Sequence, residues 1–306
     1  MKIDSRFASK AESIDETPEP FREQLKKHLK PGEKISLLVC APAFRSSREK
    51  FPATALAVTD QRWVIVAEEQ SGVASVSGAA FDETLLAEFT EILLFGELKI
   101  HFALDGKPNS GTAHFNTVTD GYYREATQLL LDGIEGGSPT VNREASSYAA
   151  RILSDLPLKF RNAVLEYVPQ GRQILFTTHW PTLVGGFRRE LAPAAVLALT
   201  ERELILITED KPRRWFESKS GPKYANIATY LPLARLATHR IGHHPKFCLL
   251  ELETHVSRGA EVFEIMFPLD NESKVAECME RVTAVRAADQ DPLNPMASAY
   301  ALSPGP

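Results

Sequence analysis

The feature that most constrains the fold of this sequence is an internal repeat. When the chain is compared with itself, the segment that begins at Arg48 aligns without a gap with the segment that begins at Arg189, 141 positions later. The identical pairs are Arg48/Arg189, Glu49/Glu190, Pro52/Pro193, Ala53/Ala194, Leu56/Leu197, Ala57/Ala198 and Thr59/Thr200. Each half of a chain of 306 residues is long enough to bury its own core. The repeat therefore predicts two copies of one domain.

Each copy is predicted to begin and end with a helix. Apolar residues four positions apart mark an opening helix at Phe21 and Leu25 and another at Phe160 and Val164. A second amphipathic pattern closes each copy. The first closing helix is expected to have Asp120 as its N-cap and to stop at Gly136-Gly137, and the second is expected to start near Asp270-Asn271.

β-type runs fill the space between these helices. Short polar turns at Asp60-Gln61 and Glu201-Arg202 separate two apolar runs in each copy and predict equivalent hairpins. The further runs are Glu91 to Phe95, Glu97 to Leu104, Gly111 to Asn116, Leu231 to Leu236, Phe247 to Thr254 and Glu261 to Phe267. The expected class is α+β and mainly β, with the order helix, several antiparallel strands, closing helix.

Composition limits the classes of partner. The formal net charge of -5 argues against a general nucleic-acid binder, which needs a basic face for phosphates. No apolar run approaches the ~20 residues of a membrane-spanning helix, and the start of the chain lacks the apolar core of a signal peptide. Cys40, Cys248 and Cys278 lie among apolar residues, as reduced, buried cysteines do. We therefore expect a cytoplasmic protein with no integral membrane segment and no nucleic-acid partner.

The domain boundaries follow from shifts in composition. Residues 1–19 and 287–306 are rich in proline, charged or small residues and are predicted to be disordered tails. The two repeats are expected at 20–136 and 158–286. Residues 137–157 between them are predicted to be a linker with a short helix, whose apolar stripe includes Ile152 and Leu153 and should pack on a domain face or on another chain.

This order of elements resembles the bacterial pleckstrin-homology-like (PH-like) family. The residues that carry the resemblance are the segment Pro31 to Ile35 after the first helix, the hairpin Leu56 to Arg62, and the closing helix. The resemblance implies two tandem PH-like domains, each a bent, partly open antiparallel barrel of about seven strands with its C-terminal helix capping one end. The second copy departs from the first at Glu203, which stands where the first copy has Arg62.

The resemblance also implies a place for a ligand. In lipid-binding PH domains the loop before the second strand carries basic residues that hold phosphate groups, and arginine suits phosphate because its planar fork donates paired hydrogen bonds. The candidate ligand-binding residues in these loops are Arg45, Arg48, Lys50, Arg188 and Arg189. A solvated hairpin tip is the favoured interpretation, because Glu49 and Glu190 dilute both basic clusters.

Two other groups offer weaker candidates. His239, His243, His244 and His255 could supply zinc ligands, but no cysteine shares their loop and Cys248 looks interior, so incidental histidines are favoured and no metal or cofactor is expected. The segment from Arg213-Arg214-Trp215-Phe216 to Tyr224 mixes basic and aromatic residues, which can bind single strands but more often form a hairpin or a partner surface.

The sequence contains none of the usual catalytic motifs. It lacks a Gly-x-Ser-x-Gly elbow, a phosphate loop ending in Gly-Lys-Ser/Thr, and His-Glu-x-x-His. We therefore expect a non-enzymatic binding or assembly module that binds a protein partner or itself. Recruitment to anionic lipid head groups is the alternative, and an enzyme with an unrecognised cleft is a third hypothesis.

Overall fold

The chain folds as two compact units. The computed structural model describes residues 7–45, 50–68, 74–136, 151–185, 190–209 and 225–290. The first unit spans residues 1–137 together with 256–260, and the second spans residues 138–255 and 261–306. The division after Gly137 falls in the segment predicted as a linker. Both units consist mainly of antiparallel strands with few helices, as the sequence predicts.

The first unit contains ten strands and two α-helices among its described residues. In chain order they are β1 (Ser9–Lys10), α1 (Phe21–His28), β2 (Ile35–Ala41), β3 (Phe44–Arg45), β4 (Lys50–Phe51), β5 (Thr54–Thr59), β6 (Arg62–Glu68), β7 (Ala74–Ala80), β8 (Thr84–Ile92), β9 (Phe95–Leu104), β10 (Lys107–Asn116) and α2 (Asp120–Glu135). One sheet has the order β1-β2-β5-β6-β7, and β8, β9 and β10 form an antiparallel meander.

The second unit repeats this plan. Its elements are α3 (Leu158–Tyr167), β11 (Ile174–Trp180), β12 (Leu183–Val184), β13 (Glu190–Ala192), β14 (Ala195–Thr200), β15 (Glu203–Thr208), β16 (Ala225–Pro232), β17 (Leu236–His244), β18 (Phe247–Val256), β19 (Gly259–Phe267) and α4 (Glu272–Gln290). Strands β11, β14, β15 and β16 pair in that order, and β17, β18 and β19 form a three-stranded sheet.

The two units also share strand register at the positions that the repeat aligns. Leu56 lies opposite Ile65 in the β5–β6 pair, and Leu197 lies opposite Leu206 in the β14–β15 pair. Both Leu56 and Leu197 are fully buried. Even the irregularities correspond, since the register shifts after Ile35 in β2 and after the equivalent residue in β11. A duplicated hydrophobic pattern has thus produced a duplicated sheet.

Equivalent side chains fasten the loop after the first helix to the following hairpin in each unit. The carboxylate of Asp60 accepts a hydrogen bond from the backbone N–H of Lys34 at 3.1 Å. In the second unit Glu201 accepts from the N–H of Gln173 at 2.6 Å. Asp60 and Glu201 occupy equivalent turns in the aligned segments, so the same hydrogen bond holds the same loop in both units.

An ion pair also joins this loop to the hairpin in each unit, and the positions of its acidic and basic residues are exchanged between the units. In the first, Arg62 Nε lies 3.1 Å from Glu33 Oε1. In the second, Arg172 Nη2 lies 2.8 Å from Glu203 Oε1, and both side chains are completely buried. Glu203, the residue at which the second copy departs from the first, is therefore compensated by an arginine where the first copy has a glutamate.

The closing helices pack against the sheets of their own units. Leu130 of α2 is fully buried, and the ring of Tyr123 stacks on that of Phe115 with centroids 3.9 Å apart. Met279 of α4 is only 1% exposed and lies in the core of the second unit. One detail of the prediction is wrong: Thr119 is the N-cap of α2, and Asp120 is its first helical residue.

Other predicted boundaries are also corrected by the structure. Residues 7–19 do not form a disordered tail, because Ser9 and Lys10 pair with the edge of β2 and Thr17 is fully buried. Backbone pairing of this kind needs no apolar periodicity, so the pattern gave no sign of it. Helix α4 continues to Gln290, four residues into the segment predicted as a C-terminal tail, and residues 291–306 lie outside the described ranges.

The predicted linker helix is described only at its end. Residues 151–154 are helical, while residues 137–150 lie outside the described part of the chain. Leu153 and Leu156 are buried in the second unit, and the guanidinium of Arg161 donates to the carbonyls of Leu153 and Ser154. The last turn of this segment is thus packed on the domain that follows it. No helix within the described ranges has the length and apolar character needed to span a membrane.

Candidate functional site

The basic hairpin of the first unit presents two cations side by side. Arg45 at the end of β3 lies directly opposite Lys50 at the start of β4, and both side chains are exposed. Like charges in this position repel each other, so an anion placed between them would be favoured. The other predicted residues, Arg48, Arg188 and Arg189, lie outside the described ranges. The structure therefore brings together two of the five candidates.

An aromatic cluster seats this hairpin on the sheet. The ring of Phe51 stacks on Phe44 at 4.9 Å and on Phe95 at 4.4 Å between centroids. It also lies 5.1 Å from the ring of His114. Stacked rings of this kind contribute beyond their buried area. The cluster fixes the short β3–β4 hairpin, and with it the direction of the two cations.

The described part of the equivalent hairpin in the second unit has no facing basic pair, and Arg188 and Arg189 of this loop lie outside the described ranges. Val184 lies opposite Glu190, and Leu183 lies opposite Ala192. Val184 is 54% exposed. The sequence predicts a basic, phosphate-binding type of loop in both units. Among the described residues, only the first hairpin has two facing cations.

An exposed apolar tip lies at the turn between β8 and β9. Ile92 and Phe95 form the last pair of these strands, so Leu93 and Leu94 make the two-residue turn. The side chains of Leu93 and Leu94 are 70% and 66% exposed. Leu93 also has a φ of 53°, a left-handed conformation that costs a residue with a Cβ about 1–2 kcal/mol. Two apolar side chains are therefore held in solvent on a strained turn.

A third exposed side chain belongs to the same tip. Val118, in the short 3-10 turn after β10, is 64% exposed. Its neighbour Thr117 donates its backbone N–H to the carbonyl of Leu94 at 3.2 Å and its hydroxyl to the carbonyl of Leu93 at 2.7 Å. These bonds hold Leu93, Leu94 and Val118, which we call the apolar tip, in one place.

The sequence pattern does not predict the apolar tip, because the run from Glu91 to Phe95 is typical of a single strand. The dipeptide Leu93-Leu94 contains none of the glycine, asparagine or aspartate residues that mark two-residue hairpin turns. The following hairpin, by contrast, turns at Asp105-Gly106, where both residues have a positive φ and the residue types fit. An apolar run without turn residues is typical of a continuous strand, so the sequence does not indicate this turn, and the corresponding turn of the second unit is Pro245-Lys246.

The histidines predicted as a group are separated by the structure. His244 stacks on Phe247, and His255 contacts Glu253 at 2.9 Å. The pKa of His239 is lowered, mainly by burial and then by the positive charge of Arg286. These three histidines have neighbours of different kinds and do not share a site.

His243, in contrast, lies close to a cysteine and a glutamate. It lies opposite Cys248 in the β17–β18 pair, and its Nε2 is 2.8 Å from Oε1 of Glu272. One donor atom from each of His243, Cys248 and Glu272 lies within 4.8 Å of the other two. Burial raises the pKa of the Cys248 thiol, and the neighbouring Glu272 carboxylate adds to the shift. The sequence predicts no cysteine in the loop of the histidines, but the tight β17–β18 hairpin places Cys248 opposite His243.

The remaining thiols are structural. Burial raises the pKa of Cys40 to about 11 and that of Cys278 to about 12, so neither forms a reactive thiolate at neutral pH. The basic and aromatic segment from Arg213 to Tyr224 lies outside the described ranges.

No protein-family model matches the chain, and no curated protein matches it.

Proposed function

We propose that this chain is a non-enzymatic binding module made of two tandem PH-like domains, and that it engages a protein partner or a second copy of itself. The PH-like interpretation is supported by the plan of each unit. Apart from the short pairs β1, β3–β4 and β12–β13, seven strands precede one closing helix in both halves. That is the plan which the resemblance implies.

The apolar tip is the observation that carries the proposed binding role. Leucine in a left-handed turn is unfavourable, and leucine in solvent gains nothing from burial. Leu93 combines both costs, and Leu94 and Val118 extend the exposed surface beside it. Strained backbone together with exposed apolar side chains is typical of a segment kept for contact with another molecule.

The size of the apolar tip favours a transient contact over a permanent one. Complete burial of one leucine or valine contributes about 1.5–3 kcal/mol. At about 25 cal/mol/Å², this energy corresponds to about 60–120 Å² of surface removed from water. Three such side chains, each already about one third buried, supply about 120–240 Å², well below the roughly 800 Å² per partner of a stable interface. The tip therefore acts as the centre of a larger, mainly polar contact, with the leucines as its energetic focus.

A site-specific photo-crosslinker tests this proposal. It is placed at Leu94 in one variant and at Lys246, the equivalent turn residue of the second unit, in a matched control. Both variants are irradiated in extract of the native host. We expect a discrete crosslinked species at position 94 that is weak at 246 and is lost when Leu93→Asp is added. Equal labelling at both positions would refute the proposal, and the mass of the species distinguishes a partner protein from a second copy.

The second candidate function is recruitment to anionic lipid head groups. The facing, exposed side chains of Arg45 and Lys50 favour it, because two cations on one short hairpin match a phosphate. The net charge of -5 opposes it, since an acidic chain has no long-range attraction to an anionic surface.

Vesicle flotation separates the two candidates. We expect little binding to vesicles that contain phosphatidylserine. Strong binding at low salt that fades as salt rises, and that is lost in Arg45→Glu/Lys50→Glu, would make lipid recruitment the better proposal. The control carries the same change of charge at two other exposed lysines, Lys27→Glu/Lys107→Glu.

A further inference from the structure

The cluster of His243, Cys248 and Glu272 offers three kinds of donor atom to one point. The imidazole Nε2 of His243 and the thiol of Cys248 both contact the carboxylate of Glu272, at 2.8 Å and 3.9 Å. Cys248 is fully buried, whereas the side chains of His243 and Glu272 are 61% and 42% exposed. The donors therefore meet at the border between the core and solvent, where an ion can reach them without opening the fold.

At the equivalent place in the first unit, a positively charged arginine side chain lies between two carboxylates. In β8 and β9 Glu91 lies opposite Gly96, as His243 lies opposite Cys248. Asp120 begins helix α2, as Glu272 begins α4. The guanidinium of Arg124 joins these groups, with Nη2 2.6 Å from Glu91 Oε2 and Nε 2.9 Å from Asp120 Oδ2.

The second unit lacks this arginine. The position of Arg124 in α2 corresponds to that of Ala276 in α4, since both lie four residues after the first residue of the helix. The carboxylate at the start of the helix is retained as Glu272. At the two facing strand positions, however, a glutamate and a glycine in the first unit are replaced by His243 and Cys248. The second unit therefore has no arginine at this place, and it has two residue types that bind metal ions well, His243 and Cys248, at the facing strand positions.

We propose that His243, Cys248 and Glu272 form a binding site for a zinc-class divalent metal ion, which takes the place that the arginine holds in the first unit. The ion would link the β17–β18 hairpin to the start of α4.

The donor set selects the class of metal. One nitrogen, one sulfur and one carboxylate oxygen suit Zn²⁺, which binds all three ligand types at about 2.0–2.3 Å in tetrahedral geometry. Mg²⁺ and Ca²⁺ prefer sites made of oxygen atoms only, so a thiolate and an imidazole select against them. Three protein ligands leave the fourth tetrahedral position to water or to a group from a partner. Cys248 gives up its thiol proton on coordination, since the thiolate is the ligand.

The metal alone is the probe that tests the site. Co²⁺ is titrated into the full chain, because a cobalt–thiolate bond produces an intense charge-transfer band in the near ultraviolet. We expect one equivalent of Co²⁺ to produce this band and Zn²⁺ to displace it. Cys248→Ser should abolish the band. Matched controls are Cys278→Ala, in the same core, and His244→Gln, the adjacent histidine, and both should retain it.

A variant that alters no ligand sharpens the test. Ala276→Arg introduces the arginine of the first unit, and Ala276→Gln introduces a long side chain without its charge. Loss of a group that only orients a metal ligand lowers the affinity for the metal by roughly 10–100-fold. We expect Ala276→Arg to lower the affinity for Zn²⁺ by more than this. Ala276→Gln should weaken it less. Circular dichroism establishes that each variant is folded.

Three results would overturn the proposal. They are the absence of a charge-transfer band in the wild-type chain, a band of equal intensity in Cys248→Ser, and Zn²⁺ affinity unchanged in both Glu272→Gln and Ala276→Arg. None of these results affects crosslinking at the apolar tip, so the proposed function and the metal site fail independently.

Discussion

The buried ion pair of the second unit provides the strictest test of how the duplicated scaffold is held together. Arg172 Nε donates to both carboxylate oxygens of Glu203, at 2.8 Å and 3.0 Å, and both side chains are fully buried. Removal of one partner from such a pair leaves an uncompensated buried charge and costs about 3–5 kcal/mol. Arg172→Glu or Glu203→Arg alone should cost at least this much, because each also places like charges together.

The double exchange Arg172→Glu/Glu203→Arg should restore most of the lost stability. It reproduces the order of charges that the first unit has in Glu33 and Arg62. The hydroxyl of Thr200, which donates to Glu203 Oε2 at 2.8 Å, also lies 3.2 Å from the backbone carbonyl of residue 203 and keeps that acceptor in the exchanged pair, as Thr59 does at Arg62 in the first unit.

Hydrogen exchange followed by mass spectrometry measures these effects locally. We expect each single variant to lose protection in β14 and β15, while β5 and β6 of the first unit serve as an internal control. The double variant should regain protection. If it is as unprotected as the single variants, the pair is not exchangeable and the equivalence of the two units at this place is wrong.

The remaining predictions concern the closing helices, the apolar tip and one buried carboxyl group. Leu130→Ala and Met279→Ala should each destabilise their unit by about 2–5 kcal/mol in urea unfolding, as large-to-small core changes do, and unchanged midpoints in both would contradict the packing. Leu93→Gly should stabilise the first unit by up to about 1.5 kcal/mol, because it relieves about 1–2 kcal/mol of backbone strain, whereas the additional conformational entropy that glycine loses on folding costs only about 0.5–1 kcal/mol. Leu94→Gly, whose φ is ordinary, should give no gain. Burial raises the pKa of Glu201 above its usual 4.5, so this carboxyl group binds a proton more readily in the folded state than in the unfolded state. The stability of the wild type relative to Glu201→Gln should therefore rise as pH falls from neutral towards 4.5. A relative stability that falls over that range would refute the assignment.

Much of the fold could be predicted because it follows from a repeated pattern of apolar residues. The hairpins at Asp60 and Glu201 were visible since each sits between two apolar runs of strand type. The pairing of Ser9 and Lys10 with β2 was not visible, because it depends on backbone hydrogen bonds at a strand edge. Periodicity reports which side chains are buried, and a short edge strand buries few.

The candidate sites were less predictable, for reasons that differ from one site to the next. The turn at Leu93 has no residue that favours a left-handed conformation, so local propensity points to a continuous strand. The cluster around Cys248 joins a hairpin to a helix start that lies 24 residues further along the chain at Glu272. A tight turn could have been inferred from Pro245-Lys246, but the contact with Glu272 depends on how the helix packs.

The two units behave as an internal comparison that separates scaffold from surface. Where a residue holds the fold, a change in one copy is compensated, as in the exchange of Glu33–Arg62 for Arg172–Glu203. An uncompensated change there would leave a buried charge and unfold the unit, so only paired changes are tolerated.

The surface positions have diverged without such compensation. The strained leucine turn at Leu93 is replaced by Pro245-Lys246, and in the short hairpin of the second unit Val184 lies opposite Glu190, whereas Arg45 lies opposite Lys50 in the first. Exposed positions change at little cost in stability, so these differences leave the shared fold intact. We therefore expect the first unit to make the macromolecular contact through its apolar tip. We expect the second unit, which has His243 and Cys248 where the first unit has Glu91 and Gly96, to bind the proposed metal ion.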